Sequence, residues 1–309
     1  NSDMQRRDFI RSTVAAASLG GLLAAEENAA RAASAPVPGA SLIKDRVDGS
    51  SLQLSLAAYS FRRELSGKKP TMTLERFVDY CAEQNLQATE LTEYYFRDKS
   101  PGYIRALRRR ACVNGLAISG SPLGNDFCHP PGPARDKQLA HVKAWIDVVA
   151  QLGSQTIRVF AGRVPKGGSE AKARKRAISG LKEVSDYAAS RGVLLALENH
   201  GGITSTVEQL LALVKGVDSP WLGVNLDTGN FHTDVYASLE KAAPYAVAVQ
   251  VKVHIREGKK AAEEADFKRI AAILKSAGYR GYVALEYEAK EDPLKAVPRY
   301  LDKLREALA

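Results

Sequence analysis

The sequence predicts a closed (β/α)8 barrel, and three observations carry that prediction. Short apolar runs alternate with amphipathic helical stretches from position 52 onward. The alternation repeats eight times within residues 36–309, a length that matches the ~250 residues one such barrel needs. Four runs in the second half also end on a carboxylate or an amide. They are VLLALE at Glu198, LGVNLD at Asp227, VAVQ at Gln250 and VALE at Glu286, at intervals of 29, 23 and 36 residues. Such intervals hold one helix and its turns between successive parallel strands. No G-x-G-x-x-G follows the first strand, which argues against an open dinucleotide-binding sheet.

The elements follow in order. Leu52–Ser60 reads as strand one. Residues 73–84, TLERFVDYCAEQ, form an amphipathic helix with Leu74, Phe77, Val78 and Cys81 on one side and Thr73 as its N-cap. Ala88–Leu91 is strand two and Pro101–Cys112 helix two. Leu116–Ser121 is strand three, and Asp136–Leu152 is a helix ended by Gly153. Gln155–Phe160 is strand four, followed by a long helix over Ser169–Ser190. Val193–Glu198, Leu222–Asp227, Ala246–Val253 and Tyr282–Tyr287 are strands five to eight. Helices lie between them at Thr204–Lys215, near Ser238 and at Asp266–Ala277, and Pro293–Leu308 closes the chain. This makes residues 36–309 a single domain.

Residues 1–35 read differently. Arg6 and Arg7 in RRDFIR precede the mildly apolar STVAAASLGGLLAA, and small-residue sites follow at Ala30–Ala32 and Ala33–Ala35. Basic region, apolar region and cleavage site in that order give an export signal of twin-arginine type. The expected location is therefore the periplasm, reached by a folded protein. The competing reading is a basic amphipathic helix. The apolar stretch is too short to span a bilayer comfortably, and no stable membrane insertion is expected elsewhere. The net charge is +9. The densest basic run, KARKR at 172–176, falls on an outer helix, where a solvated face is the plainer reading and nucleic acid is not the expected partner. The three cysteines, Cys81, Cys112 and Cys128, form no C-x-x-C and cannot make a complete disulfide framework. Cys81 reads as core; one disulfide among the three is left open.

Barrel enzymes place their chemistry at the carboxyl ends of the strands. Here those ends run into ENHGG, DTGNFH, QVKVHIREG and EYE. A buried acid stays ionised only when paired or bound to a cation. Glu198, Asp227, Gln250 and Glu286 at matched strand ends therefore suggest one divalent metal ion. Counting apolar residues before each acid puts Gln250 level with the three acids. Gln250, Lys252 and His254 share a strand face, and His254 would stand ~13 Å beyond Gln250, over the substrate or in the loop. Oxygen ligands suit Mg or Mn; a nitrogen from His254 would shift the choice toward Zn, Mn or Co. Buried ion pairs of the acids with Lys252 and Arg158 are the bland alternative. Glu90 and Glu93 end strand two, one expected in the pocket and the other in solvent. His129 and His232 are loop histidines, and His141 sits on a helix face.

LALENHGG, VNLDTGN, VQVKV and ALEYE, together with AYSF at 58–61, SGSPLGNDF at 119–127 and IRVFAG at 157–162, resemble the xylose-isomerase-like TIM-barrel family of sugar phosphate isomerases and epimerases. The resemblance covers all of residues 36–309. It implies a ligand set of Glu, Asp, His and Glu on strands five to eight. Glu198, Asp227 and Glu286 match it, and Gln250 stands in the histidine position, a departure that bears on metal identity. The resemblance implies proton abstraction next to a carbonyl through an enediolate, with Glu198 and Glu286 as the acid–base pair. It also implies Asn230 as a substrate contact. His200 is a candidate second base and Lys252 a candidate partner of the enolate oxygen. Arg158, Arg256, His254 and Asn125 are candidates to hold the substrate.

The expected function is thus a metal-dependent isomerase or epimerase acting on a small sugar or polyol, with homo-oligomer formation left open. A lyase on the same site, either a dehydratase or a 3-keto-glycoside eliminase, starts with the same proton abstraction. A non-catalytic sugar-binding barrel is the reading that Gln250 favours. A nuclease with several metals would need more histidines than the five present.

Overall fold

The computed structural model describes Ile43 and residues 46–309, within one compact unit, Ser41–Ala309. The export segment expected over residues 1–35 lies outside the described residues. All eight expected strands form: β1 (Gln53–Ala57), β2 (Ala88–Glu90), β3 (Ala117–Gly120), β4 (Thr156–Val159), β5 (Leu194–Glu198), β6 (Leu222–Asp227), β7 (Ala246–Lys252) and β8 (Tyr282–Glu286). Their order in the sheet is β3-β2-β1-β8-β7-β6-β5-β4, with every ladder parallel. The ends of that order meet. Ser121 N–H donates to the Thr156 carbonyl and Leu123 N–H to that of Arg158, each at 3.2 Å, while Thr156 Oγ1 donates to the Ser119 carbonyl at 2.9 Å. The sheet is therefore a nearly closed barrel.

Helices fill the gaps: α1 (Leu74–Glu83), α2 (Pro101–Val113), α3 (Pro133–Leu152), α4 (Glu170–Ala189), α5 (Val207–Val217), α6 (Val235–Ala242), α7 (Phe267–Ser276) and α8 (Pro293–Leu308). Side-chain caps set several starts. Thr73 accepts from Arg76 N–H before α1, and Thr206 with Gln209 makes a full capping box before α5. Two boundaries move for physical reasons. α3 begins at Pro133 rather than Asp136, because a proline in the first helical turn gives up no intrahelical bond. β1 ends at Ala57, where Ala58–Phe61 tightens into a 3-10 turn. That turn buries Phe61 at ring-centroid distances of 5.8 Å from Phe77 and 5.0 Å from Tyr80.

Apolar strand residues facing the helices make the main core. The barrel interior is different. Ser55 of β1 hydrogen-bonds Ser119 of β3 at 2.9 Å, and Gln250 of β7 hydrogen-bonds Glu90 of β2 at 2.8 Å. Neither pair of strands is adjacent, so both bonds cross the interior. Small inward residues such as Ser55 and Ala284 leave room for these long polar chains. Cys81 and Cys128 are buried and Cys112 exposed, all three as free thiols, which answers the open disulfide question. No helix among the described residues is long and apolar enough to cross a membrane.

Truncating Phe61 to alanine removes a fully buried ring from this contact. Phe61→Ala is expected to lower the unfolding free energy by about 3–5 kcal/mol, as read by equilibrium urea denaturation.

Candidate active site

Strand register builds the site. Asp227 of β6 lies opposite Gln250 of β7, which lies opposite Ala284 of β8. Two residues further on, Lys252 lies opposite Glu286. Glu198 of β5 lies opposite Asn225. This corrects the expectation that Gln250 stands level with all three acids. Counting along each strand ignores the stagger between strands that closing a barrel requires, and Lys252 is the residue level with Glu286.

Gln250 is committed elsewhere. Its Nε2 donates to Glu90 Oε1 at 2.8 Å, and its Oε1 accepts from Asn225 Nδ2 at 2.7 Å. Above it, Lys252 Nζ lies 3.2 Å from Asp227 Oδ2 and 2.9 Å from Glu288 Oε2, and it contacts Glu286 Oε2. An ammonium has three N–H donors and no acceptor; Lys252 gives one to Glu286, while buried Asp227 Oδ2 keeps no hydrogen-bond partner. Lys252 is only 8 % exposed. Its stem passes Gly229 of the DTG turn, where a Cβ would sit 2.5 Å from Lys252 Cγ. The turn is tied down by Gly229 N–H donating to Asp227 Oδ1 at 2.9 Å and Lys252 N–H donating to Thr228 Oγ1 at 3.0 Å.

Glu198 has a different set of partners. Arg158 Nε lies 2.7 Å from its Oε2. Its Oε1 is 2.7 Å from His200 Nδ1 and accepts from Asn230 Nδ2 at 3.0 Å. Arg158 is anchored by donating to the Leu123 carbonyl at 2.6 Å and packs its guanidinium 4.1 Å from the Phe160 ring centre. The same ring lies 4.4 Å from that of half-exposed His200.

These surroundings push the carboxyls apart. Burial raises Glu198, but the Arg158 charge, His200 and Lys252 outweigh it and leave the group below the usual range. Burial raises Glu286, and the charges of Glu288 and Glu198 add to it against Lys252. Asp227 is pushed well up by burial, with Lys252 opposing and Glu198 and Glu286 reinforcing. Burial disfavours the Lys252 ammonium, yet Asp227, Glu286 and Glu288 hold it firmly protonated.

The expected ligand set of Glu198, Asp227, Gln250 and Glu286 does not fit a divalent ion as folded. Both polar atoms of Gln250 are bonded within the barrel, and Arg158 and Lys252 stand against Glu198, Asp227 and Glu286, although buried Glu198 Oε2 and Asp227 Oδ2 keep no hydrogen-bond partner. Among the described residues no group of three or more His, Cys, Asp or Glu side chains is arranged to hold an ion. An added cation would also meet Lys252. Two unit charges 4 Å apart interact by about 4 kcal/mol at an effective dielectric of 20, and a divalent ion doubles that.

The remaining candidates divide. Asn230 and His200 join Glu198. His254 lines a cavity of about 200 Å3 at the carboxyl ends of the strands with Asn230, Lys252, Glu286 and Glu288. Arg256 is exposed and does not line that cavity. Asn125 spends its amide on the Phe160 backbone, donating to the carbonyl at 2.8 Å and accepting from the N–H at 2.9 Å; it pins the strand-four loop. Glu90 and Glu93 are both buried, which corrects the expectation that one faces solvent. Glu93 is held by Lys99 at 2.7 Å and His141 at 3.1 Å. Sequence reasoning missed Glu288, although the alternation in EYE puts it on the face of Glu286. It also missed Phe160 as the platform under Arg158 and His200. A larger cavity, about 700 Å3, opens at the amino-terminal end between Trp221, Tyr279 and Tyr282 and reaches Glu90. The charged cluster is at the opposite end, where barrel chemistry resides.

A family model described as Xylose isomerase-like TIM barrel matches residues 47–307. The chain is 24% identical over 261 residues to the uncharacterized protein MJ1311 of Methanocaldococcus jannaschii, covering 77% of this chain and 88% of that one. A D-psicose 3-epimerase crystallised with D-fructose superposes with a TM-score of 0.68 at 17% identity, over 83% of this chain and 96% of that one. An IOLI protein with a bound zinc atom gives 0.67 at 17%, over 82% and 96%. At these identities the structural likeness establishes the fold.

Burial, with the Glu286 charge adding, lifts the Glu90 carboxyl from 4.5 to about 8, against the Gln250 hydrogen bond and Arg158. A carboxyl raised on folding binds its proton more tightly in the folded state. Its contribution to stability is complete below the unfolded pKa and fades as pH rises toward 8, by about 1.4 kcal/mol per pH unit. Glu90→Gln is expected to flatten that slope in urea unfolding between pH 5 and pH 8; an unchanged slope contradicts the assignment.

Proposed function

The chain belongs to the xylose isomerase-like TIM barrel family, and from that premise and the geometry of the site we propose that it is a sugar isomerase or epimerase. The observation that carries the proposal is the pair Glu198 and Glu286. Both are buried at strand ends of one barrel mouth, and their surroundings push their protonation in opposite directions. Two carboxyls whose surroundings push their pKa values apart suit the roles of base and acid. The sugar epimerase among the structural neighbours supports the choice of substrate class.

In the proposed reaction the Glu198 carboxylate takes the proton from the carbon next to a carbonyl. The C–H electron pair becomes the C=C bond of an enediolate, and the carbonyl π pair moves onto oxygen. Protonated Glu286 returns a proton to the other face, giving the epimer, or, once the neighbouring hydroxyl has passed its proton to the enolate oxygen, to the former carbonyl carbon, giving the isomer. Arg158 and His200 keep Glu198 ionised and oriented, while Asn230 and His254 border the space for the sugar hydroxyls. The divalent ion expected from the sequence has no step here, because the donor set does not fit it. The sealed ion pairs and the committed Gln250 favour one second reading, a barrel that binds sugar without turnover.

A mass-resolved screen against keto sugars, inososes and 3-keto glycosides in deuterated water separates the outcomes. An isomerase gives product of unchanged skeleton carrying solvent deuterium; loss of water or of a glycosyl substituent indicates a lyase; binding without product indicates the second reading. Glu198→Gln and Glu286→Gln are each expected to lower kcat by about 10²–10⁴-fold with an unchanged circular dichroism spectrum. Full activity in Glu286→Gln would sink the acid–base assignment.

A further inference from the structure

We infer that Lys252 is the resident cation of this site, so that its ammonium serves the reacting oxygen without a divalent metal. The inference rests on the isomerase reading above, and it comes from three independent features of the fold. Lys252 Nζ donates to Glu286 and lies 3.2 Å from Asp227 Oδ2 and 2.9 Å from Glu288 Oε2. Gly229 leaves the space the lysine stem passes through, since any Cβ there would lie 2.5 Å from Lys252 Cγ. Gln250, two residues back on the same strand face, is bonded through both amide atoms to Asn225 and Glu90. Its position in the chain is that of a ligand, and its hydrogen bonds are those of an interior support.

Lys252 is also placed to act. It borders the 200 Å3 cavity together with Asn230, His254, Glu286 and Glu288. Of its three carboxylates, Asp227 and Glu286 are sealed, whereas the Glu288 side chain is 41% exposed. Glu288 is therefore the partner that a substrate carbonyl oxygen displaces. In enolisation the Lys252 proton stays on nitrogen and donates a hydrogen bond to that oxygen as negative charge develops on it. This is electrostatic stabilisation by a preorganised donor, and no oxidant or further cofactor enters the balance. With the Glu288 carboxylate and the Lys252 ammonium balancing each other at the cavity and Glu286 serving as the acid, the fitting substrate is an uncharged keto sugar.

The test is Mn2+ binding to the purified chain, measured by equilibrium dialysis and by thermal melting with and without EDTA. Wild type is expected to bind no stoichiometric Mn2+ and to melt at the same temperature in either condition. Lys252→Ala is expected to bind one equivalent and to melt higher with Mn2+, because an ion that binds only the folded state stabilises it. Stoichiometric binding by wild type, with a melting point that falls in EDTA, overturns the inference. That result stands on the wild-type chain alone, whether or not the variant folds. It is also distinguishable from turnover: metal uptake by wild type defeats the resident-cation claim and leaves the isomerase reading intact, while an inert, metal-free protein defeats the isomerase reading and with it the role of Lys252 at the reacting oxygen.

Discussion

A buried ammonium surrounded by carboxylates is costly to assemble and costlier to disturb. Removing one partner of a buried pair leaves an uncompensated charge, a loss of about 3–5 kcal/mol. Lys252 sits at that point, and much of the barrel mouth is arranged around it. The β7–β8 register brings it level with Glu286. The DTG turn presents Asp227 and, through the missing Cβ of Gly229, opens the route for its stem. The EYE segment adds Glu288 from the rim.

The same arrangement pushes the carboxyls in opposite directions. Lys252 cannot neutralise Asp227, Glu286 and Glu288 together, so burial keeps Asp227 and Glu286 raised. Glu198 has a cation of its own in Arg158, steadied by the Leu123 carbonyl and the Phe160 ring, and stays ionised. Below this level, Asn225, Gln250 and Glu90 form a hydrogen-bonded row across the interior. That row supports the mouth from beneath. In this chain Arg158 and Lys252 stand against the acids of the mouth.

The eightfold alternation, and with it the barrel, was legible because helix caps and strand runs are local signals. Leu222–Asp227 and Pro293–Leu308 appear with the bounds their flanking residues indicated. The cap at Thr73 was legible for the same reason. The acids Glu198, Asp227 and Glu286 were visible as strand-end carboxylates, and the alternation put Lys252 on the face of Gln250. What could not be read was which residue of one strand stands beside which residue of the next. That stagger is a property of the closed barrel, and it exchanges Gln250 for Lys252 at the level of Glu286. Nor does any local pattern join Glu90 to Gln250, whose hydrogen bond spans 160 positions of chain.

The most direct measurement is a crystal structure grown in Mn2+ with an anomalous difference map. A resident Lys252 predicts its Nζ in place among Asp227, Glu286 and Glu288, and no anomalous peak beside Glu198. A strong peak coordinated by Glu198, Asp227 and Glu286, with Lys252 turned out of the cluster, would contradict it.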